Sequence, residues 1–211
     1  MIKVIQILQN KMQVFSYVVY DIYTNDCAVI DPSTEPEKIL KTLDQNNLNL
    51  KAVINTHGHP DHVCGNSYIL KNIKAPLYIH KKDAYLLGKI SSRLFSRALG
   101  GKSSPSPDYF VEDNDIIESG SFSFEVIHTP GHTPGGICLF TDKNLFTGDT
   151  LFTGDVGRTD LPGASYEELV NSVKNRLFTL APDTVVWPGH NYSEDKYSTI
   201  EKEKRTNPYI S

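Results

Sequence analysis

The chain has 211 residues, 39% of them hydrophobic and 22% charged, with a formal net charge of -4 at pH 7. This size and composition fit one globular domain over residues 1–211, and the mildly acidic balance argues against a nucleic-acid-binding surface. The first eight residues, interrupted by Lys3 and Gln6, are too short for a secretion signal or a membrane span. We therefore expect a cytoplasmic protein without nucleic-acid or membrane partners. The sequence is compatible with a homo-oligomer.

The first half of the chain predicts an antiparallel meander of strands followed by alternating strands and helices. A helix is expected after Pro36, because Ile39 and Leu43 are spaced for one helical face. The predicted strands are residues 4–8, 14–20, 27–30, 51–55 and 76–80, and further helices are expected over 63–73 and 81–87.

The second half begins with a long polar segment and then predicts mostly strands. Serine, glycine and proline dominate residues 91–107, which we interpret as a loop. Its cations Arg93, Arg97 and Lys102 would attract an anionic substrate if the loop were a lid, although a solvated surface loop is favoured. Strands are expected over 122–127, 137–140, 144–146 and 184–187, and helices over 166–180 and 194–205.

Three histidines and an aspartate fall within six positions directly after the predicted strand 51–55. They belong to the segment Thr-His-Gly-His-Pro-Asp-His, residues 56–62. Neutral imidazole is the most common side-chain ligand of zinc and iron, and a carboxylate adds an anionic oxygen that holds or orients a metal-bound water. The segment therefore predicts half of a metal centre, formed by His57, His59, Asp61 and His62.

Three further loops carry candidate ligands, and each also follows a predicted strand. His132 lies in a Pro-Gly-His-Thr-Pro-Gly segment, Asp149 follows a glycine, and His190 ends a Pro-Gly-His turn. Loops at strand ends can meet at one rim of a sheet, where a rigid scaffold supports a functional site. We expect these three side chains to complete the centre, whereas His80 and His128 are interpreted as hydrogen-bonded structural or ligand-supporting histidines.

In this order, the motifs His-x-His-x-Asp-His, Gly-His-Thr, Gly-Asp and Gly-His resemble those of the metallo-β-lactamase superfamily over nearly the whole sequence. The Thr-Gly-Asp-Thr-Leu-Phe run at 147–152 is similar to the glyoxalase II (hydroxyacylglutathione hydrolase) branch, especially its short bacterial members. The resemblance implies an α/β (α+β) fold, a four-layer αββα sandwich of two mixed β-sheets flanked by helices. We expect a single domain without the carboxy-terminal helical domain that supplies much of the glutathione pocket in full-length glyoxalase II.

The resemblance also implies two divalent metal ions, zinc first, with iron or manganese as alternatives. Carried over by position, the ligands of the first ion would be His57, His59 and His132, those of the second Asp61, His62 and His190, and Asp149 would bridge them. Asp61 would act catalytically by orienting a metal-bound hydroxide. Asp31 matches the superfamily's early aspartate and implies support of a ligand. Arg158 and Asp160, in a Gly-Arg-Thr-Asp motif, belong either to a substrate-binding segment or to a salt-bridged loop.

A two-metal centre of this kind favours hydrolysis, because two cations about 3.5–4 Å apart lower the pKa of a trapped water and polarise a carbonyl. A thioester suits such a centre, since its leaving thiolate has a conjugate pKa of about 8.5 and needs little help from a general acid. We therefore expect a hydrolase acting on a small-molecule thioester of the hydroxyacylglutathione type. A lactone or another ester is the alternative on the same site.

Another reaction class fits the same motifs. Persulfide dioxygenases resemble this motif set, including Gly-Arg-Thr-Asp, and use one iron held by two histidines and an aspartate, here His57, His132 and Asp149, to activate oxygen. The sequence does not separate one metal from two. A nuclease ranks lower because the chain is acidic and short, and a metal-binding module without catalysis ranks lower still.

Overall fold

The structure is a computed structural model that describes residues 1–210. Its first half contains β1 Ile2–Gln9, β2 Val14–Asp21, β3 Asp26–Ile30, α1 Pro36–Gln45, β4 Asn49–Ile54, α2 Pro60–Val63, α3 Asn66–Asn72, β5 Leu77–His80, α4 Ala84–Gly88 and α5 Ile90–Ala98. Then follow β6 Tyr109–Val111, β7 Ile116–Ser119, β8 Phe122–His128, β9 Ile137–Thr141, β10 Asn144–Gly148, α6 Tyr166–Ser172, β11 Val185–Pro188, β12 Ser198–Thr199 and α7 Ile200–Thr206. A π-helical turn, Val173–Leu177, continues α6.

The strands form two six-stranded sheets. The strand order is β1-β2-β3-β4-β5-β6 in the first sheet and β12-β11-β10-β9-β8-β7 in the second. Strands β1, β2 and β3 pair antiparallel, which confirms the predicted meander, whereas β3 to β6 pair in parallel. In the second sheet β10 and β11 are parallel and the other neighbours antiparallel. Both sheets are therefore mixed, as the resemblance implied.

Apolar side chains form three large packed zones and a small one of Val63, Ile79 and Leu87, because successive residues of a strand point to opposite faces of its sheet. Between the sheets pack Tyr17, Ile30 and Ile54 from the first sheet and Phe124, Val126 and Phe146 from the second, among others. The outer face of the first sheet packs against α1 and α3, and that of the second against the turn Val173–Leu177 and α7. The four-layer αββα prediction is confirmed, and the boundaries of a single domain stay a prediction.

The expectation of a loop over residues 91–107 is wrong for its first half, which forms α5. The many serines hid an amphipathic pattern in which Ile90 and Leu94 lie on an exposed face while Ser96 is buried. After α5 the chain is held close to α2, since the Lys102 N–H donates to the carbonyl of Cys64 over 3.0 Å. This segment is therefore a helical wall rather than a free loop.

Several predicted boundaries also differ from the structure. The helix expected over 63–73 is divided into α2 and α3 near Gly65, where an added Cβ would lie 2.8 Å from the carbonyl oxygen of Pro32. The helix expected over 81–87 begins only at Ala84, and the terminal helix is confined to Ile200–Thr206. The short strands β6 and β7 were not predicted. Among residues 1–210, no helix combines the length and hydropathy needed to cross a membrane.

Candidate metal centre

Four loops bring all seven predicted ligands together at one edge of the sandwich. The loop after β4 carries His57 and His59 and continues into α2, which carries Asp61 and His62. The loop after β8 carries His132, and the ends of β10 and β11 lead into Asp149 and His190. Six of these side chains form two groups, each with its ligand atoms within 4.8 Å of one another: His57, His59 and His132 in the first, Asp61, His62 and His190 in the second. A third such group, Asp31, His57 and His62, overlaps both. The first and second groups are the two sets assigned to separate ions by the sequence resemblance.

The first group has the spacing of ligands around one cation. His59 Nδ1 lies 2.9 Å from His132 Nε2, and two nitrogens bound at about 2.0–2.1 Å to a tetrahedral ion would be about 3.3 Å apart. His57 Nε2 is buried and has no hydrogen-bond partner. A buried nitrogen without a partner is costly in a protein interior unless a ligand satisfies it. The donor set therefore fits a metal ion.

The second group is arranged in the same way. His62 Nε2 lies 3.1 Å from His190 Nε2, and Asp61 Oδ2 is 3.8 Å from the first of these nitrogens and 3.7 Å from the second. One carboxylate oxygen and two imidazole nitrogens thus face a common point. This mixture of nitrogen and oxygen donors suits zinc, iron or manganese.

The Asp149 carboxylate contacts both groups. Its Oδ1 lies 3.4 Å from His62 Nε2, and its Oδ2 lies 3.4 Å from His132 Nε2 and 3.3 Å from His190 Nε2. Oδ1 is buried without a hydrogen-bond partner. Asp149 thus occupies the position that a bridging ligand between two ions requires.

Asp31 supports two of the histidine rings from below the centre. Its Oδ2 lies 3.0 Å from His62 Nδ1 and accepts the Thr56 hydroxyl over 2.6 Å. The same hydroxyl lies 3.1 Å from His57 Nδ1. Because Nδ1 of each ring is engaged by an acceptor, Nε2 is left to face the metal position. Asp31 thus contacts His62 directly and His57 through the Thr56 hydroxyl, and its supporting role stays a prediction.

Backbone carbonyls orient the two remaining rings that present Nε2. His132 Nδ1 donates to the carbonyl of Arg158 over 2.8 Å, and His190 Nδ1 donates to the carbonyl of Met12 over 2.8 Å. A carbonyl can only accept a hydrogen bond, so Nδ1 carries the proton in both rings. Their Nε2 atoms consequently take no part in these hydrogen bonds and lie with the other ligand atoms of the two groups.

The first group is electrostatically suited to neutral imidazoles. Burial and the neighbouring His62 lower the pKa of His57 well below its usual value. Burial and then His132 lower the pKa of His59 to about 4. Both rings are neutral at pH 7, which is the form that binds a metal ion.

The second group instead attracts positive charge. Burial acts to lower the pKa of His62, but Asp149, Asp61 and the hydrogen bond to Asp31 outweigh it and raise this pKa to about 10. The pKa of His190 is raised in the same way, mainly by Asp149. Burial would raise the pKa of Asp149, yet the two histidines hold it well below its usual range. A metal cation would take the place of those protons.

The centre lies at the floor of a cleft of about 670 Å³. Besides ligands, this cleft is lined by Tyr85, Lys89, Phe95, Arg158 and Tyr192, among others. Motif analysis missed Tyr85, Lys89, Phe95 and Tyr192, because they are isolated in the sequence and reach the site only through the fold. The one sequence signal for Tyr192 is its position two residues after His190, on whose ring it stacks at 4.7 Å and 13°.

The Gly-Arg-Thr-Asp segment forms a salt bridge and lies beside the cleft. Arg158 forms two hydrogen bonds with Asp160, Nε to Oδ1 at 2.7 Å and Nη2 to Oδ2 at 2.8 Å. Both side chains are exposed, and such ion pairs contribute little to stability. Arg158 also lines the cleft, and its carbonyl holds His132, whereas Asp160 is not among the residues that line the cleft.

Sequence comparison identifies relatives of similar length. The family model of the metallo-beta-lactamase superfamily matches residues 10–190. Hydroxyacylglutathione hydrolase GloC of Haemophilus influenzae is 35% identical over 190 residues, covering 88% of each chain.

Solved structures share the whole fold. BLEG-1 B3 metallo-beta-lactamase has a TM-score of 0.89 and 30% identity, with 100% of both chains covered. TTHA1623 in a di-iron-bound form has a TM-score of 0.84 and 34% identity, covering 97% of this chain and 99% of that one. ETHE1 from Myxococcus xanthus has a TM-score of 0.84 and 27% identity, covering 98% and 83%. With two ligand groups on an αββα sandwich and a family match over most of its length, the chain belongs to the metallo-β-lactamase superfamily.

Proposed function

We propose that this protein is a metal-dependent thioesterase acting on thioesters of the hydroxyacylglutathione type. The observation that carries the proposal is the convergence of two ligand groups on the Asp149 carboxylate at the floor of an open cleft. The similarity to GloC supports the substrate class, and the di-iron form of TTHA1623 supports a two-metal site. Two divalent ions, zinc first and iron or manganese as alternatives, supply a polarised carbonyl and a water of lowered pKa when bound.

Asp61 is the proposed catalytic carboxylate. Its side chain is 12% exposed and its Oδ2 faces His62 and His190. The carboxylate accepts a hydrogen bond from the attacking water and thereby directs an oxygen lone pair towards the substrate carbonyl. The Ser33 hydroxyl donates to the Asp61 backbone carbonyl and holds the residue in place.

The cleft walls support an anionic thioester as the substrate. Lys89 and Arg158 both line the cleft, and a glutathione thioester carries carboxylates that such cations attract. Tyr85 and Phe95 supply apolar surface in the same cleft. The leaving thiolate needs little protonation, since the thiol pKa is about 8.5.

The proposal is tested with metal-loaded protein whose metal content has been measured by elemental analysis. We expect two metal equivalents per chain. We also expect hydrolysis of S-lactoylglutathione, which is measured as release of the thiol. Asp61→Asn should lower kcat by about 10²-fold or more, because the hydrogen-bond acceptor becomes partly a donor. Protein with both metals that leaves S-lactoylglutathione intact, yet cleaves other thioesters, a lactone or a β-lactam, would refute the proposed substrate class.

A persulfide dioxygenase is the second candidate. His57 and His132 belong to one ligand group, and His132 Nε2 lies 3.4 Å from Asp149 Oδ2, so these three residues can share one iron. The structural similarity to ETHE1 favours this alternative. One iron per chain together with oxygen uptake on glutathione persulfide would establish the dioxygenase in place of the thioesterase.

A further inference from the structure

A buried carboxylate that is not part of either ligand group lies directly behind the centre. Asp83 precedes α4 and has no exposed surface. Its Oδ2 accepts the backbone N–H of Gly58 over 2.9 Å, and its Oδ1 accepts the backbone N–H of Gly135 over 2.7 Å. Both oxygens of one carboxylate are therefore used to hold two separate stretches of main chain.

The two stretches are the ligand loops of the first group. Gly58 stands between His57 and His59, and Gly135 follows His132 by three residues in the loop after β8. One loop extends from the first sheet and the other from the second. The carboxylate thus connects the two sheets at the point where His59 Nδ1 and His132 Nε2 approach to 2.9 Å.

Both loops can approach Asp83 only because glycine stands at each contact. A Cβ added to Gly58 would lie 2.9 Å from the Asp83 carbonyl oxygen, and a Cβ added to Gly135 would lie 2.6 Å from Asp83 Oδ1. Such distances are shorter than real Cβ contacts. The site is therefore shaped around direct access of two backbone amides to one carboxylate.

Asp83 also joins this contact to the cleft wall. The Leu86 N–H donates to the carbonyl oxygen of Asp83 over 2.9 Å, which starts α4. Tyr85 in α4 and Lys89 directly after it line the cleft. Asp83 therefore contacts both ligand loops and also the helix α4 that forms part of the cleft wall.

We propose that Asp83 is a positioning residue that sets the separation of His59 and His132 by accepting one backbone N–H from each ligand loop. The inference rests on the proposed metal site and is independent of which substrate that site hydrolyses. The ligands of the first group are then held in place before a cation binds, and their affinity for the cation depends on Asp83, which does not contact it.

The substitution Asp83→Asn tests this role. The amide has nearly the same shape, but it can accept only one of the two N–H groups and presents its own NH₂ donor to the other. We expect a folded protein whose first metal equivalent binds about 10- to 100-fold more weakly in competition with a chromophoric chelator. The visible spectrum of the cobalt-substituted protein should shift, since the His59 and His132 nitrogens no longer keep their spacing.

Asp108→Asn is the matched control. Asp108 Oδ2 accepts the Leu77 N–H over 2.8 Å in the first sheet, and Asp108 lines neither the centre nor its cleft. The same change there should leave metal affinity and the cobalt spectrum unaltered. Folded Asp83→Asn protein that binds metal as tightly as the unsubstituted protein, with an identical cobalt spectrum, would overturn the proposal.

A measurement on the unsubstituted protein covers the case in which Asp83→Asn does not fold. In chelator-treated protein, the amide protons of Gly58 and Gly135 should exchange with solvent slowly, because the carboxylate holds both without help from a metal. Rapid exchange of either amide would contradict the proposal. These experiments measure metal affinity, the cobalt spectrum and amide exchange. An absence of thioesterase activity would therefore refute the proposed function and leave this inference standing.

Discussion

At the scale of single residues, Lys89 offers the sharpest test of how the cleft selects its substrate. It lines the cleft, whereas Arg93 in α5 directs its Nε towards the Ser103 hydroxyl at 3.3 Å. For an anionic thioester, Lys89→Ala should raise KM about three- to tenfold with kcat nearly unchanged. The reason is that the bound substrate and the transition state lose the same partly screened attraction, about 0.7–1.4 kcal/mol. Steady-state kinetics at low ionic strength measure this change.

Arg93→Ala is the control for Lys89→Ala, since it removes a similar charge from the same wall outside the cleft. It should leave KM within twofold. Added salt should also reduce the difference between Lys89→Ala and the unsubstituted protein. Equal effects of the two substitutions, or a fall in kcat alone, would show that Lys89 does not bind the substrate.

The sequence was sufficient to predict the individual ligands, but only some of the residues that support them. His57, His59 and His62 are dense in sequence and follow a strand, so both their chemistry and their placement are visible in one segment. Asp83 carries no such signal. Its partners are backbone N–H groups of glycines, which any sequence contains, and the contact exists only after two sheets have packed together.

At the scale of elements, the loop after β8 depends on its packing against α6. Gly131 has a φ of +140°, and an added Cβ would lie 2.5 Å from Leu169 Cβ. The Gly131 carbonyl also accepts the Ser165 N–H over 2.8 Å. Gly131→Ala should therefore lower the free energy of unfolding by about 3 kcal/mol or more, through backbone strain and a steric clash together. Chemical denaturation measures the loss.

Gly154→Ala separates these two contributions. Gly154 also has a positive φ, +72°, but an added Cβ would meet nothing within 4 Å. Its cost should be confined to backbone strain, about 1 kcal/mol. Similar losses at the two positions would mean that the contact with α6 is unimportant for the loop that carries His132.

Elements with strong periodicity were predicted well and α5 was not. The meander and the strand before His57 are marked by apolar runs that end at turn residues. Residues 90–98 contain three serines and two arginines beside four apolar side chains, and the helix exposes Ile90 and Leu94 while it buries Ser96, a pattern that composition does not report. The short strands β6 and β7 were also not predicted, because each forms only through its pairing with a neighbouring strand in the sheet.

At the scale of the whole molecule, a pair of stacked histidines connects the two sheets. His80 ends β5 and His128 ends β8, and their rings lie 4.3 Å apart at 3°. The Lys82 N–H donates to His80 Nδ1 over 3.2 Å. Burial, then His128 and Lys82, lower the pKa of His80 to about 4, and the nearby Glu112 and Asp113 only partly oppose this.

This pair predicts a loss of stability in acid. An unfolded histidine binds its proton near pH 6.5, whereas folded His80 does so only near pH 4. Between these values the unfolded chain holds more protons, so the free energy of unfolding falls as the pH is lowered through this window and levels off below it. At pH 4.5 the loss from His80 should be about 2 kcal/mol.

His80→Asn tests the acid effect, because asparagine keeps an acceptor near the Nδ1 position and removes the titrating group. Denaturation of metal-free protein at pH 7 and pH 4.5 compares the variants while the ligand histidines titrate alike in both. His80→Asn should lose about 2 kcal/mol less than the unsubstituted protein over this interval. An identical loss in both would assign the acid sensitivity to other groups.

The division of the chain into two sheets also determines when a cation can be captured during synthesis. Residues up to Val111 build the first sheet, and those from Ile116 onward build the second. Neither half holds the complete first or second ligand group, since the first waits for His132 and the second for His190. On the ribosome, a nascent chain could therefore not complete both ligand groups before His190 has been translated. The group of His57, His59 and His132 is accordingly completed earlier in synthesis than the group that includes His190.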